Sequence, residues 1–374
     1  MGCCCLKVRI ENPALLLVVL VVVAGLVYFI QSMKPAVQDS PGPVGLEGEM
    51  DDLLYPRAPE LAGIAGYVNV EQGFTLESVK GKVVLVDFWT YSCINCIRTL
   101  PYLTAWHEKY KDKGLVIVGV HTPEFEFEKD PENVKRAVEK HGIEYVVVQD
   151  NDYATWRAYR NRFWPHKYLV DAEGFVRYDH IGEGAYDETE DVIRKLLMER
   201  DESIMAELPE AGVEVPAPDF SKILTPELYF GHAFQRRLLG SPEGYQPGQS
   251  VEYSTPGELE NDKIYLTGKW MNNAENMELV SGNGSVSLKY NAREVNLVAG
   301  VNGTLESTLE LYLDGAPLGE SMRGSDVVAV DGKALVKVKD QKLYNLVKGA
   351  GYDENSLEIR VVGAGLKAYT FTFG

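Results

Sequence analysis

The stretch from Lys82 to Pro101, KVVLVDFWTYSCINCIRTLP, constrains this chain more than any other. It opens on an uninterrupted apolar run, Val83 to Val86, bounded by Gly81. That run predicts a buried strand of a mixed or parallel sheet. The chain then turns through Trp89 to Ser92 into Cys93-Ile94-Asn95-Cys96, and an amphipathic helix is expected to follow. Two cysteines separated by two residues at a strand-to-helix junction suit redox chemistry. The first sulfur stands at the helix N-terminus, where free amide N–H groups and the helix dipole favour negative charge. Its thiolate, the attacking species, is therefore expected to be favoured. The second sulfur is near enough to close a disulfide and release a bound partner. A purely structural disulfide is one rival. Zinc is another, but it needs two further ligands. The other cysteines are Cys3, Cys4 and Cys5, far along the chain, and the six histidines are scattered. No metal and no cofactor beyond the Cys93–Cys96 couple is expected.

The same residues carry a resemblance. The segment is similar to the thioredoxin superfamily, and more closely to the extracytoplasmic TlpA-like branch found at the C-terminal end of DipZ-type proteins. The resemblance implies that Asp87, six residues before Cys93, is the buried acid that exchanges protons with Cys96. It implies that Trp89 lies beside the site and that Pro101 kinks the redox helix. Pro165, in Phe163-Trp164-Pro165-His166, falls where the family has a cis-proline facing the first cysteine. That turn exposes a backbone edge for a substrate peptide, with Trp164 beside the sulfurs. The sequence also departs from the pattern. Tyr91-Ser92 replaces the usual residue-tryptophan pair, Ile94-Asn95 replaces Gly-Pro, and Thr99 stands where some reductases of the branch have glutamate.

Pro13 to Ile30, PALLLVVLVVVAGLVYFI, carries no charge. At about 1.5 Å per residue it can just span a hydrocarbon core. Lys7 and Arg9 precede it, which places residues 1–12 in the cytoplasm and everything beyond residue 31 outside. An uncleaved single-pass anchor is expected rather than a cleaved signal peptide, because the apolar region is long and no A-x-A site follows closely. Cys3 to Cys5 would then lie at the cytoplasmic face, as inert thiols or as sites of reversible acylation. The formal charge of −18 excludes a nucleic-acid partner.

Residues 31–56 read as an extended linker and 57–200 as the thioredoxin-like α/β domain. Within it Leu115 to His121 predicts a second buried strand. Thr122-Pro123-Glu124 forms a loop at its carboxyl end, where sites of open α/β sheets gather, so Glu124 is a supporting candidate. Asp130-Pro131 predicts a helix start, Tyr168–Val170 and Phe175–Ile181 a hairpin, and Asp187-x-x-Glu190 a capping box. Residues 201–223 read as a second linker.

From 224 to 374 the grammar changes. Asn283-Gly284, Asn302-Gly303, Asp314-Gly315 and Asp331-Gly332 separate alternating runs, predicting an antiparallel β-sandwich. Thr225-Pro226-Glu227-Leu228-Tyr229 and the terminal AYTFTFG resemble the carbohydrate-binding-module-like domain of DipZ-type proteins. Trp270 and the tyrosines are expected in its core, and carbohydrate stays a candidate ligand. The region has no cysteine, so no redox chemistry is expected of it.

The function expected is that of a membrane-anchored, extracytoplasmic thiol–disulfide oxidoreductase reducing disulfides of exported proteins. The resemblance implies a separate membrane electron-transfer protein, of the DipZ membrane-domain type, that recharges it. Two alternatives stand beside this. Thr90-x-x-Cys93 echoes a peroxiredoxin-type thiol peroxidase, although Val86 replaces its proline. The β region allows a glycan-binding or adhesion protein with an accessory thioredoxin domain.

Overall fold

The structure, a computed structural model, describes residues 54–215, 219–234, 239–302 and 305–374. The anchor expected over 13–30, the first linker up to residue 53 and Cys3 to Cys5 lie outside the described residues. Among the described residues no helix is long and apolar enough to cross a membrane.

The first half alternates strands and helices. β1 (Gly66–Val68), β2 (Val83–Trp89), α1 (Ile94–Tyr110), β3 (Leu115–His121) and α2 (Pro131–Lys140) come first. β4 (Val146–Gln149), α3 (Ala154–Ala158), β5 (His166–Val170), β6 (Val176–Ile181) and α4 (Tyr186–Arg200) follow. The strands form one mixed sheet in the order β1-β4-β3-β2-β5-β6. β2, β3 and β4 run parallel, and β5 and β6 return antiparallel. Every residue of β2 is buried, because helices cover both faces of a parallel core, and this explains the unbroken apolar run. The carboxyl ends of β2 and β3 and the start of β5 meet at one edge: Trp89 is in register with His121, and Phe88 with His166. α2 starts as expected, with Asp130 accepting from the Glu132 amide and Pro131 in the first turn.

The start of α4 departs from expectation. Its N-cap is Ala185, with φ +47° and no side-chain cap. Glu190 turns inward instead and accepts hydrogen bonds from Tyr110 Oη at 2.6 Å, Lys109 Nζ at 3.0 Å and the Gly212 amide at 2.9 Å. Three donors to a buried carboxylate outweigh one exposed cap bond. The residues expected as a second linker are therefore strapped down. Ile204, Leu208, Val213 and Val215 pack on the core around α1.

The second half is all antiparallel. Its strands are β7 (Leu228–Tyr229), β8 (Ser250–Tyr253), β9 (Ile264–Asn272), β10 (Met277–Val301), β11 (Ser307–Leu313), β12 (Ala316–Pro317), β13 (Val328–Val330), β14 (Lys333–Val338), β15 (Lys342–Val362) and β16 (Leu366–Phe373). They share one hydrogen-bonded ten-stranded sheet. β10 bends through register shifts so that Ala368 of β16 is in register with both Met277 and Ala299. One core cluster results, with Trp270 fully buried in it as expected. Asp314-Gly315 and Asp331-Gly332 are hairpin turns with positive φ at both residues. Asn283-Gly284 is not a turn: it lies inside β10, in register with Val362 and Val361. Glycine is needed there for closeness, since a Cβ on Gly284 would stand 2.7 Å from Leu279 and 2.8 Å from the Thr267 carbonyl.

The two halves pack as one compact unit. Phe125 and Phe127, on the loop after β3, meet Tyr369 of β16 with ring centroids 5.1 and 4.7 Å apart. Arg98 of α1 donates to the Phe373 carbonyl at 3.4 Å.

Glu190→Ala is expected to destabilise the protein by about 2–4 kcal/mol, because it strips three donors of one buried acceptor. Urea denaturation checks this. The midpoint should fall at unchanged slope, and a midpoint within error of wild type would refute the strap.

Candidate redox site

The chain leaves β2 at the sheet's carboxyl edge and enters α1 at once. Cys93 is the N-cap of α1, and its Sγ accepts the Cys96 amide at 3.3 Å. Both cysteines are free thiols; Cys93 is half-buried and Cys96 is buried. The exposed sulfur is thus the first one, as the spacing predicts. Its protonation differs from the sequence expectation. Burial pushes the Cys93 thiol up, and Glu227 and Glu124 push it further, against the hydrogen bonds from Cys96. The helix end favours the thiolate, but the cleft around it has been stripped of water.

Behind Cys96 lies Asp87, buried on β2. Burial raises its carboxyl to about 7, while Lys167 pulls the other way. Lys167 is itself fully buried, in register opposite Asp87 on β5, and donates to the Gly182 carbonyl at 3.1 Å. Burial lowers its ammonium and Asp87 supports it. Asp87 in turn raises Cys96. The structure therefore places a carboxyl that titrates near neutrality where it acts on the second sulfur.

The remaining sequence candidates converge on the same edge. The Trp164–Pro165 bond is cis. Trp164 donates from Nε1 to the Thr122 carbonyl at 3.0 Å and lines a cleft with Cys93 and Glu124. Trp89 is fully buried beneath, edge-on to His121 at 5.3 Å. Thr90, the residue that a peroxidase would need, is buried with Oγ1 3.3 Å from His121 Nε2. Thr99 bonds to the Asn95 carbonyl and to Tyr186.

Four residues escaped the sequence reading. Glu128 is fully buried and accepts from Ser92 Oγ at 2.5 Å and from the Glu124 and Phe125 amides at 2.6 and 3.0 Å. Its alternation with Phe125 and Phe127 was the available signal. Lys167 is visible only through its register with Asp87. Glu227 and Tyr229 sit in the quoted TPELY motif yet line the redox cleft. Among the described residues no cluster suited to a metal ion occurs.

A dithiol at a helix end, one sulfur reachable and one buried against an acid, exchanges disulfides. Comparison with known proteins places the fold and the chemistry together. The chain belongs to the thioredoxin-like thiol–disulfide oxidoreductases. A family model described as AhpC/TSA matches residues 57–179, and one described as a thioredoxin-like C-terminal domain matches residues 225–374. The thiol-disulfide oxidoreductase YkuV of Bacillus subtilis is 32% identical over 142 residues, 37% of this chain and 94% of that protein. Protein DipZ of Mycobacterium tuberculosis is 36% identical over 321 residues, 85% of this chain and 43% of that protein. The chain thus spans less than half the length of its DipZ relatives. A solved thioredoxin-like protein in its oxidised form is 31% identical, with 39% of this chain and 97% of that one covered at a TM-score of 0.36.

Asp87 also predicts a pH effect on stability. Its folded value of about 7 lies above the ordinary 3.8. Between those values the native state keeps a proton that the unfolded chain has lost, so stability falls as pH rises through this window. Asp87→Asn stays neutral and escapes that loss. Relative to wild type it should gain about 2–4 kcal/mol by pH 8 and almost nothing at pH 4. Parallel stability curves in urea across the range would contradict the assignment.

Proposed function

We propose that this protein is a membrane-anchored, extracytoplasmic reductant of disulfides in exported proteins, with Cys93 as nucleophile and Cys96 as resolving thiol. The observation that carries the reading is the asymmetry of the pair: Cys93 faces a cleft, and Cys96 is buried against Asp87 and Lys167. Cys93 attacks a substrate disulfide as thiolate. A Cys93–substrate bond forms, the substrate S–S bond breaks, and the leaving sulfur takes a proton. Asp87 accepts the Cys96 proton, and Cys96 then attacks Cys93 Sγ. The second substrate thiol departs and the Cys93–Cys96 disulfide remains, so two electrons have passed to the substrate. Trp164 and the edge beside Pro165 receive the substrate strand.

An outer compartment is oxidising, so the dithiol must be resupplied with electrons. Likeness to DipZ over the two folded regions, together with the apolar stretch 13–30, supports a membrane electron carrier as the donor. Anchoring in one membrane plane raises the effective concentration of the two partners.

Cys96→Ser is expected to accumulate mixed disulfides with partner proteins, seen as reductant-sensitive bands on a gel, and Cys93→Ser is not. Equal trapping by both variants would exchange or remove the assigned roles.

Direction has its own check. Acid-quenched thiol trapping in cells should find the pair mainly reduced. An oxidised steady state, with a potential well above the thioredoxin value of about −270 mV, would make the protein an oxidant.

A further inference from the structure

The cleft that exposes Cys93 has walls from both halves of the protein. Its volume is about 440 Å³. Cys93, Glu124 and Trp164 form one side, and Glu227, Tyr229 and Phe373 the other. The β region, which has no cysteine, therefore reaches the sulfur.

Tyr229 makes the junction. Its hydroxyl donates to Glu124 Oε1 at 2.7 Å across the boundary, and to Glu227 Oε2 at 3.0 Å. A phenol has one proton, so the two carboxyl groups share it. Two acids that would otherwise repel each other are held at the mouth of one cleft. The holder is rigid. β7 is paired with β16 at Tyr229–Thr370, and the Tyr229 ring stacks on Phe234 at 5.5 Å. Both acids act on the Cys93 thiol in the sense that retains its proton, Glu227 more than Glu124.

The other charged groups at this edge are already placed. Arg98 is bound to Glu183 at 3.5 Å and to the Phe373 carbonyl. Arg162 is exposed at the rim. Asp87 and Lys167 lie behind Cys96.

We propose that Glu227 and Tyr229 are positioning residues of the redox site, holding a carboxyl pair against Cys93 that selects disulfides flanked by lysine or arginine. This rests on Cys93 being the nucleophile. A cation entering the cleft offsets the field of the acids on the sulfur, so the thiolate forms as the substrate arrives. Cys93–SH and the substrate disulfide then give the mixed disulfide and one free substrate thiol, with the Cys93 proton ending on the leaving sulfur. A substrate with acidic flanks adds to the field and is disfavoured.

The test uses the full chain, fully reduced, in single turnover on two synthetic disulfide peptides. They differ only in lysine or glutamate beside the half-cystine. Wild type should reduce the lysine peptide about tenfold faster, the effect of one pKa unit on the attacking thiol. Glu227→Gln should shrink that ratio to about twofold or less. In a Cys96→Ser background, Glu227→Gln should also move the pH midpoint of Cys93 alkylation by iodoacetamide downward. Glu227→Asp keeps the charge and should keep the preference, which a merely structural role would not distinguish. A ratio near one in wild type overturns the inference, as does an unchanged ratio and midpoint in Glu227→Gln. Absence of exchange on both peptides overturns the reading of the cysteine pair, and this inference with it.

Discussion

One buried carboxylate organises the edge on which everything else depends. Glu128 has no access to solvent, and its two oxygens are filled by Ser92 and by the amides of Glu124 and Phe125. An ionised or strongly polarised group in such a place persists only when fully hydrogen-bonded. By accepting from both segments it ties the residue before Cys93 to the loop after β3. That loop presents Glu124 to the cleft, and Phe125 and Phe127 to β16. The redox helix, the acid beside it and the seat of the β region are thus set by a single acceptor.

Some of this was legible in the chain and some was not, for physical reasons. The apolar run Val83–Val86, the cysteine spacing and the Asp130-Pro131 helix start are local signals, and each has a local cause. Pro165 and Asp87 could be placed through the family pattern. Lys167 could not, because its partner is set by antiparallel register with β2 rather than by neighbours in sequence. The Asp187–Glu190 pattern reads as a cap until Tyr110, Lys109 and Gly212 are brought up to Glu190 by tertiary folding. Asn283-Gly284 reads as a turn because Asn-Gly usually makes one, yet the glycine answers a steric demand from Leu279 and Thr267.

The state of Cys93 is a subtler case. The argument from the helix end is sound for an isolated helix, whose dipole and amides face water. Here the sulfur sits in a two-walled cleft, so desolvation opposes the dipole and two carboxyl groups join it. The burial terms come from residues more than a hundred positions downstream, such as Glu227, and no window around the cysteines contains them. Asp87 follows the same logic from the other side: its carboxyl is held near 7 by burial, with Lys167 as counterweight.

The interlocked rings of Phe125, Phe127 and Tyr369 carry a consequence for inheritance. Where domains are joined by a loose tether, recombination can shuffle them freely. These two regions share a core cluster instead, into which Tyr229, Val298, Leu343 and Tyr369 contribute from the β side. Transferring either one alone would bare an apolar face and open the redox cleft to solvent. The pair is built to travel between longer proteins as a single cassette, joined to whatever precedes it only through the chain before β1.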